Sequence, residues 1–400
     1  MSDSPPLLTA DQPWRGSEPY TEADRAFFHG RKREVEELRR LLDRDTLTVL
    51  TGAGGTGKTS LVRAGLLPSL SPDLLPVFIR LDWSAASEQR ALSRQILDAI
   101  DAAARARQLD GPAVKECDTL WETFHRTGAR WWSARQRVVT PVLVLDQFEE
   151  AFTSGAASIT IQRHRDRLLE ELSQLAANRP PSRVALRIED GTERDDAFDF
   201  GPAPVRILLI VREEFAPRFA ALRAQFPTLG RSELRITAFT EAQAREVLVR
   251  GASQRGLFAD GVIDQLLPRI AAGNEREFPF APAALSAQAL SLAEQRTQRN
   301  VAQITADFFM PNQPAAIESP APAPVEATQP RRSFPWFAIA ALLTVCTGAW
   351  LWQQQNLMTR WETASVAPAP KSLPPATPEP TPPPTPEVQP RVALSTTPPP

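Results

Sequence analysis

The sequence predicts an α/β fold, in which a parallel sheet flanked by helices is followed by a small helical domain. Short apolar runs alternate with longer amphipathic segments, which is the pattern of strands joined by crossover helices. The runs are residues 47–50, 77–81, 141–145 and 206–211. From Leu234 onward the pattern is mostly helical, ending near residue 310. The chain is 42% hydrophobic and 23% charged, as in ordinary globular proteins. Because this composition does not distinguish fold classes, the prediction depends on the periodicity of the apolar residues.

Residues 1–18 are polar and proline-bearing, without the charged start and apolar core of a secretory signal peptide. We expect them to be disordered and cytosolic. An amphipathic helix with Val35, Leu38 and Leu41 on one face then leads into the first strand.

A glycine-rich segment after the first strand matches G-x-x-x-x-G-K-[ST] at every fixed position. Its residues, which we call the phosphate loop, are Gly52, Ala53, Gly54, Gly55, Thr56, Gly57, Lys58, Thr59 and Ser60. Glycines let successive N–H groups turn inward as an anion site, and a following helix adds its N-terminal donors. Lys58 would reach the β- and γ-phosphates, the Thr59 hydroxyl would ligate Mg²⁺, and Ser60 could reach the α-phosphate. Because a strand precedes the motif and a helix follows it, the pattern predicts a P-loop NTPase binding ATP or ADP rather than a glycine-rich turn of an unrelated fold.

Asp146 ends the buried strand at residues 141–145, on the sheet edge where ligands bind in open α/β folds. Mg²⁺ keeps most of its water ligands, so the Asp146 carboxylate and the Thr59 hydroxyl would suffice as protein ligands. Glu149 and Glu150 follow within one turn, and either could orient or deprotonate an attacking water. Both could equally cap the next helix, and the spacing does not choose between these roles.

Three further expectations concern the remaining segments before residue 234. Arg212 ends another buried strand, where it could sense the γ-phosphate or form a structural salt bridge to Glu213 or Asp146. Aromatic residues at helical spacing predict a helix over residues 120–137 that packs in the core. Residues 180–205 are acidic and proline-bearing, and they predict a solvated loop with little order.

Composition excludes some function classes. The net charge of −2 gives no electrostatic footprint for nucleic acid. Cys117 and Cys346 lie far apart in unlike contexts, and the three histidines are scattered, so neither a disulfide framework nor a metal cluster is indicated.

Taken together, these motifs resemble the STAND class of signal-transduction P-loop ATPases, in particular bacterial members with a Pro-Val-Leu-Val-x-Asp-Gln-Phe-Glu-Glu signature. The match runs from about Tyr20 to Arg296. Its pieces are residues 28–31, the phosphate loop with residues 61–68 after it, and residues 146–150, 206–215 and 280–282.

The resemblance implies roles for residues that no motif explains alone. It implies that Gly30 and Arg31 lie near the adenine, that Arg212 is a sensor, and that Pro282 of a helical lid contacts the nucleotide. Between Pro19-Tyr20 and the double phenylalanine, however, the segment is shorter than in the family. This departure implies an adenine pocket that is looser, or formed partly by other residues.

Residues 334–352 contain no charged side chain and would span about 28 Å as a helix, enough to cross a bilayer core. They predict one transmembrane helix, with tryptophans near both ends as interfacial anchors. The flanking charges give little bias, but the nucleotide site requires a cytosolic N-terminal domain. We therefore expect a single-pass protein of the cell inner membrane with a periplasmic C-terminal tail.

The predicted domain order is a P-loop domain over residues 19–233, a helical lid over 234–310, a disordered linker over 311–333, the membrane helix, and a disordered proline-rich tail over 353–400. We interpret the chain as a membrane-anchored, slowly hydrolysing ATP switch. Nucleotide state would control its conformation and its assembly into a homo-oligomer, and output would pass to an unknown signalling protein. The alternatives are a nucleotide-bound scaffold that does not hydrolyse, and a transport or secretion motor.

Overall fold

The computed structural model describes residues 6–83, 92–112, 119–154, 158–225, 231–273 and 280–309. All of these belong to the first of two units, Met1–Ile317. The predicted linker, transmembrane helix and tail over residues 311–400 lie outside the described residues. Within the described ranges, no helix combines the length and apolar character needed to cross a membrane.

A mixed sheet of six strands, counted over the described residues, forms the centre of this unit. The strands are β1 Leu47–Gly52, β2 Leu74–Ile79, β3 Trp131–Trp132, β4 Val138–Leu145, β5 Arg206–Arg212 and β6 Glu233–Arg235. Their order is β2-β4-β5-β1-β6, all parallel, with the short β3 antiparallel to β4. This confirms the predicted parallel sheet.

Register brings the ends of the central strands to one edge. Gly52 at the end of β1 is opposite Arg212 at the end of β5. Leu145, the last residue of β4, is opposite Leu209 of β5. The phosphate loop, Asp146 and Arg212 therefore emerge from neighbouring strands at the same edge.

Helices cover the sheet and continue beyond it. They are α1 Lys32–Arg44, α2 Lys58–Ser60, α3 Leu92–Ala106, α4 Leu120–His125, α5 Ile159–Ala176, α6 Ser182–Glu189, α7 Ala216–Gln225, α8 Glu241–Ala252, α9 Val262–Gly273 and α10 Pro282–Gln298. The short α2 continues as a wider π-type turn over Leu61–Leu66. Helices α8 to α10, which we call the helical layer, have an apolar cluster of their own.

The central strands are buried on both faces, as continuous apolar runs predict. In β4, Leu143 and Leu145 belong to one apolar cluster, whereas Val142 and Val144 belong to another on the opposite face. The first cluster includes residues of α3 and α5, and the second includes residues of α1 and of the turn after α2. The sheet is therefore a middle layer with helices on each side.

Three segments differ from their predicted local structure. Residues 13–16, part of the range expected to be disordered, are buried, and the Trp14 side chain lies in the apolar cluster of the helical layer. The predicted helix over 120–137 ends at His125, and Gly128 in a left-handed conformation precedes β3. The 180–205 segment contains α6, and Val205 near its end is fully buried.

The first and third of these predictions failed because apolar contacts distant in sequence order segments that read as polar. The helix is shorter than predicted because Trp131–Trp132 pair with β4 as a strand. The boundary predicted at residue 233 falls inside β6, which ends at Arg235. That the helical layer moves as a lid remains a prediction.

Candidate functional site

Backbone geometry at the phosphate loop fits an anion. Gly55 and Gly57 have φ values of +75° and +83°, in the left-handed region that side chains disfavour. A Cβ on Gly52 would lie 2.6 Å from the carbonyl oxygen of Ile236, so only glycine permits this approach. Helix α2 begins at Lys58, directly after the loop, and its first N–H groups add to the same site.

Lys58 is buried beneath this loop and tied to it. Its Nζ donates hydrogen bonds to the carbonyl oxygens of Gly52 at 2.7 Å and Ala53 at 2.9 Å. Burial lowers the pKa of Lys58, whereas the nearby carboxylates of Glu149 and Glu214 oppose that shift. The ammonium group is therefore held where an anion in the loop would meet it.

Thr59 and Asp146 come together as the motif predicted. The Thr59 hydroxyl is 3.3 Å from each carboxylate oxygen of Asp146, which is buried. Burial raises the pKa of the Asp146 carboxyl. Within the described ranges, no group of three or more His, Cys, Asp or Glu residues could hold a metal ion. Two oxygen ligands fit Mg²⁺, since that ion takes few protein ligands and completes its octahedron with water and phosphate oxygens.

The two glutamates after Asp146 have different surroundings. Glu149 is 7% exposed and lines the cleft, and its Oε1 is 2.9 Å from Nε of Arg212. Its Oε2 has no hydrogen-bond partner among the described residues. Glu150 instead forms an ion pair with Arg80. Arg212 thus pairs with Glu149, and neither Glu213 nor Asp146 takes the partner role considered from the sequence.

The helical layer contacts the phosphate loop directly. Pro282 is the first residue of α10, and the next backbone N–H, that of Ala283, donates to the carbonyl oxygen of Gly55 at 3.2 Å. A Cβ built on Gly57 would lie 3.7 Å from Cβ of Pro282. The structure therefore places Pro282 against the loop, where the resemblance implied a nucleotide contact.

Arg31 joins the loop to the start of the helical layer. It is 3% exposed, and its guanidinium donates to the carbonyl oxygens of Thr56 at 3.3 Å and Thr237 at 2.5 Å. The same group lies over the Phe239 ring, 4.4 Å from its centroid. The preceding Gly30 has a φ of +82°, and a Cβ there would lie 2.9 Å from the side chain of Val247 in α8. Gly30 thus packs against α8, whereas Arg31 packs against the segment that leads into α8 and also lines the cleft.

A cleft of about 420 Å³ lies above the loop, bounded by the strand ends and α10. Residues 16–20 form the other side of this cleft. They were not among the site residues predicted from the sequence. The Tyr20 backbone N–H donates to Oγ of Ser60 at 3.1 Å, and burial raises the pKa of Tyr20 to about 12. No motif marks residues 16–18, because their position depends on contacts far along the chain, and the Pro19-Tyr20 pair of the family pattern carried no predicted site role. The roles of the lining residues in binding or hydrolysis remain predictions.

Comparisons with known proteins agree with a phosphate site. The sequence profile of the family described as Novel STAND NTPase 1 matches residues 13–306. No curated protein matches the chain at a significant level.

Three solved structures illustrate the distant structural similarities. The Walker-type ATPase of Pyrococcus abyssi is 16% identical with a TM-score of 0.43, and the alignment covers 71% of this chain and 74% of that one. Cdc6p from Pyrobaculum aerophilum is 16% identical with a TM-score of 0.38, covering 68% and 64%. The ORC2 protein of Aeropyrum pernix, solved as ADPNP-ADP complexes, is 15% identical with a TM-score of 0.46, covering 71% and 69%. At these TM-scores, the similarities support no statement about what this chain binds.

Proposed function

Because the chain belongs to the novel STAND NTPase 1 family, we propose that it is an ATP-binding switch whose nucleotide state controls its conformation and its assembly. The observation that carries this proposal is the hydrogen bond from Ala283 at the start of α10 to Gly55 of the phosphate loop. The loop that would hold a phosphate therefore follows β1 of the sheet and is hydrogen-bonded to the helical layer. A bound phosphate that moves the loop can change how the two layers pack.

We assign each site residue a role that its position supports. The loop N–H groups and Lys58 bind phosphate oxygens, since they are preorganised donors at a helix N-terminus. Thr59 and Asp146 would hold Mg²⁺, which would neutralise phosphate charge. Arg212, at the end of β5, senses the terminal phosphate. Its ion-pair partner Glu149 follows β4 on the same edge of the sheet.

Hydrolysis should be slow. A glutamate acts as general base only if its carboxylate reaches the attacking water. Glu150 must leave Arg80 before it can act. Glu149 keeps Oε1 on Arg212 and must first expose to the water its Oε2, which is buried and has no hydrogen-bond partner among the described residues. The same observation favours the second candidate, a nucleotide-bound scaffold without hydrolysis. Measured phosphate release from the full chain decides between them, because the scaffold would release none.

Membrane anchoring remains part of the proposal on sequence grounds. The uncharged residues 334–352 would anchor the chain in the inner membrane with residues 1–310 in the cytoplasm. Clustering of these cytoplasmic regions would raise the local concentration of the tails and of a signalling partner. Carbonate extraction of membranes tests this step. The full chain should stay in the pellet, and recovery in the supernatant would contradict the anchor.

Calorimetric titration of the full chain with Mg²⁺ and ATP tests the nucleotide site. Lys58→Ala should weaken binding by at least about a hundredfold, because a charge-assisted contact to phosphate is lost. Lys32→Ala is the matched control, since Lys32 is exposed and lies outside the cleft. Equal affinities of the two variants would refute the site.

A further inference from the structure

Glu214 places a carboxylate on the phosphate loop. Its Oε1 accepts a hydrogen bond from the backbone N–H of Gly54 at 3.1 Å. Glu214 belongs to the single turn Glu213–Phe215 that follows β5, so the strand end brings it to the loop. Glu214 lies in the 206–215 stretch that carries the family resemblance, which assigned it no role. The carboxylate thus occupies a donor that the loop would otherwise offer to a phosphate oxygen.

The Glu214 carboxylate is negatively charged at neutral pH. Burial alone would raise its pKa, but hydrogen bonds from backbone N–H groups and the neighbouring cations Lys58 and Arg212 hold that pKa below its usual value. The side chain is exposed and needs no repacking of the core to move. The Glu214 carboxylate is therefore an anion bound to the phosphate loop, and another anion could replace it there.

The position of Gly54 indicates which phosphate would compete with this carboxylate. Ser60, at the opposite end of the loop, is bonded to Tyr20 and faces the pocket of residues 16–20. Gly54 instead lies towards the strand ends that carry Arg212 and Glu149. A nucleotide could bind with its base on the side of the cleft formed by residues 16–20. Its terminal phosphate would then be the phosphate nearest to Glu214.

We propose that Glu214 competes with the terminal phosphate of a nucleoside triphosphate for the Gly54 N–H, so that the site favours nucleoside diphosphates. This inference rests on the proposed nucleotide site. Two anions cannot share one donor at close range without repulsion, because like charges this close oppose each other even at a protein surface, where the effective dielectric constant is below that of water. A triphosphate must displace the carboxylate, whereas a diphosphate can bind with the contact intact. Glu214 is thus a residue that determines specificity for nucleoside diphosphates over triphosphates.

Glu214→Gln tests the charge with little change of shape. Glu213→Gln is the matched control, because Glu213 lies in the same turn but pairs with Arg235 rather than with the phosphate loop. Glu214→Ala is a second variant that removes the carboxylate altogether. Thermal unfolding of all three variants checks that each is folded before titration.

The experiment is calorimetric titration of the full chain with ADP and with ADPNP, both with Mg²⁺. Glu214→Gln and Glu214→Ala should tighten ADPNP binding about tenfold, the scale of one charge-assisted hydrogen bond, and change ADP binding less than about twofold. Glu213→Gln should change neither affinity. An unchanged ratio of the two affinities in both Glu214 variants, or weaker ADPNP binding, would overturn the inference while leaving the nucleotide site in place. Absence of binding by the unmodified chain would overturn both.

Discussion

Glu149 and Arg212 form an ion pair across the ends of β4 and β5, with Oε1 of the glutamate 2.9 Å from Nε of the arginine. The glutamate is buried, whereas the arginine side chain is 53% exposed. A terminal phosphate that attracts Arg212 would therefore leave Glu149 with an unpaired, buried charge. The sensor and the candidate base are linked, so movement of one changes the environment of the other.

The ion pair with Arg212 distinguishes Glu149 from Glu150 as the candidate general base, a choice that the sequence left open. Glu149→Gln should preserve ATP binding and reduce phosphate release by at least about a hundredfold, because the general base is lost. Glu150→Gln is the control, since Glu150 pairs with Arg80 and does not line the cleft. Phosphate release under single-turnover conditions is the measurement. If the Glu150 variant alone slows, the assignment to Glu149 is wrong.

Asp146→Asn should remove the Mg²⁺ dependence of nucleotide affinity. The amide keeps the side-chain size but loses the charge that would attract the ion beside Thr59. Titration of ATP with and without Mg²⁺ measures the effect as a ratio of dissociation constants. Asp43→Asn, at an exposed position on α1, should keep the unmodified ratio. A full Mg²⁺ effect in the Asp146 variant would exclude this carboxylate as a ligand.

Gly57→Ala should weaken nucleotide binding beyond its cost in stability. An alanine at a φ of +83° is strained by about 1–2 kcal/mol, and relaxation of that strain would disturb the loop. Gly128→Ala provides the comparison, because its φ is +79° and no atom lies within 4 Å of the added Cβ. Both variants should lose similar unfolding free energy in chemical denaturation. Similar nucleotide affinities would argue against a role for the loop conformation.

Trp14→Ala should destabilise the protein by about 3–5 kcal/mol, as expected for a large buried aromatic side chain. Trp14 is 1% exposed and packs among residues of the helical layer. Trp132→Ala should cost much less, because Trp132 is 38% exposed. Denaturation followed by far-ultraviolet circular dichroism compares the two. A loss in the Trp14 variant as small as the one expected for Trp132 would mean that burial of Trp14 does not stabilise the fold.

Local patterns predicted the sheet and the phosphate loop, because the strands are continuous apolar runs and the loop needs glycines at fixed spacing. They could not predict contacts between distant segments. Arg31 reaches Thr237 across 206 positions, and Glu214 reaches Gly54 across 160. Burial of Trp14 likewise depends on helices that lie more than half the chain away, so its polar neighbours suggested disorder instead. Such contacts follow from packing of the whole unit, which no short motif encodes.

The central claim is that phosphate bound at the loop changes the conformation or dynamics of the helical layer. Amide hydrogen exchange tests this claim most directly. Exchange of the full chain is compared with ADP, with ADPNP and without nucleotide, following peptides that cover residues 280–289. We predict that exchange at the start of α10 differs between the two nucleotides, because Ala283 is bonded to Gly55. Lys58→Ala should abolish the difference. Saturating binding of both nucleotides with identical exchange throughout α10 would contradict the account.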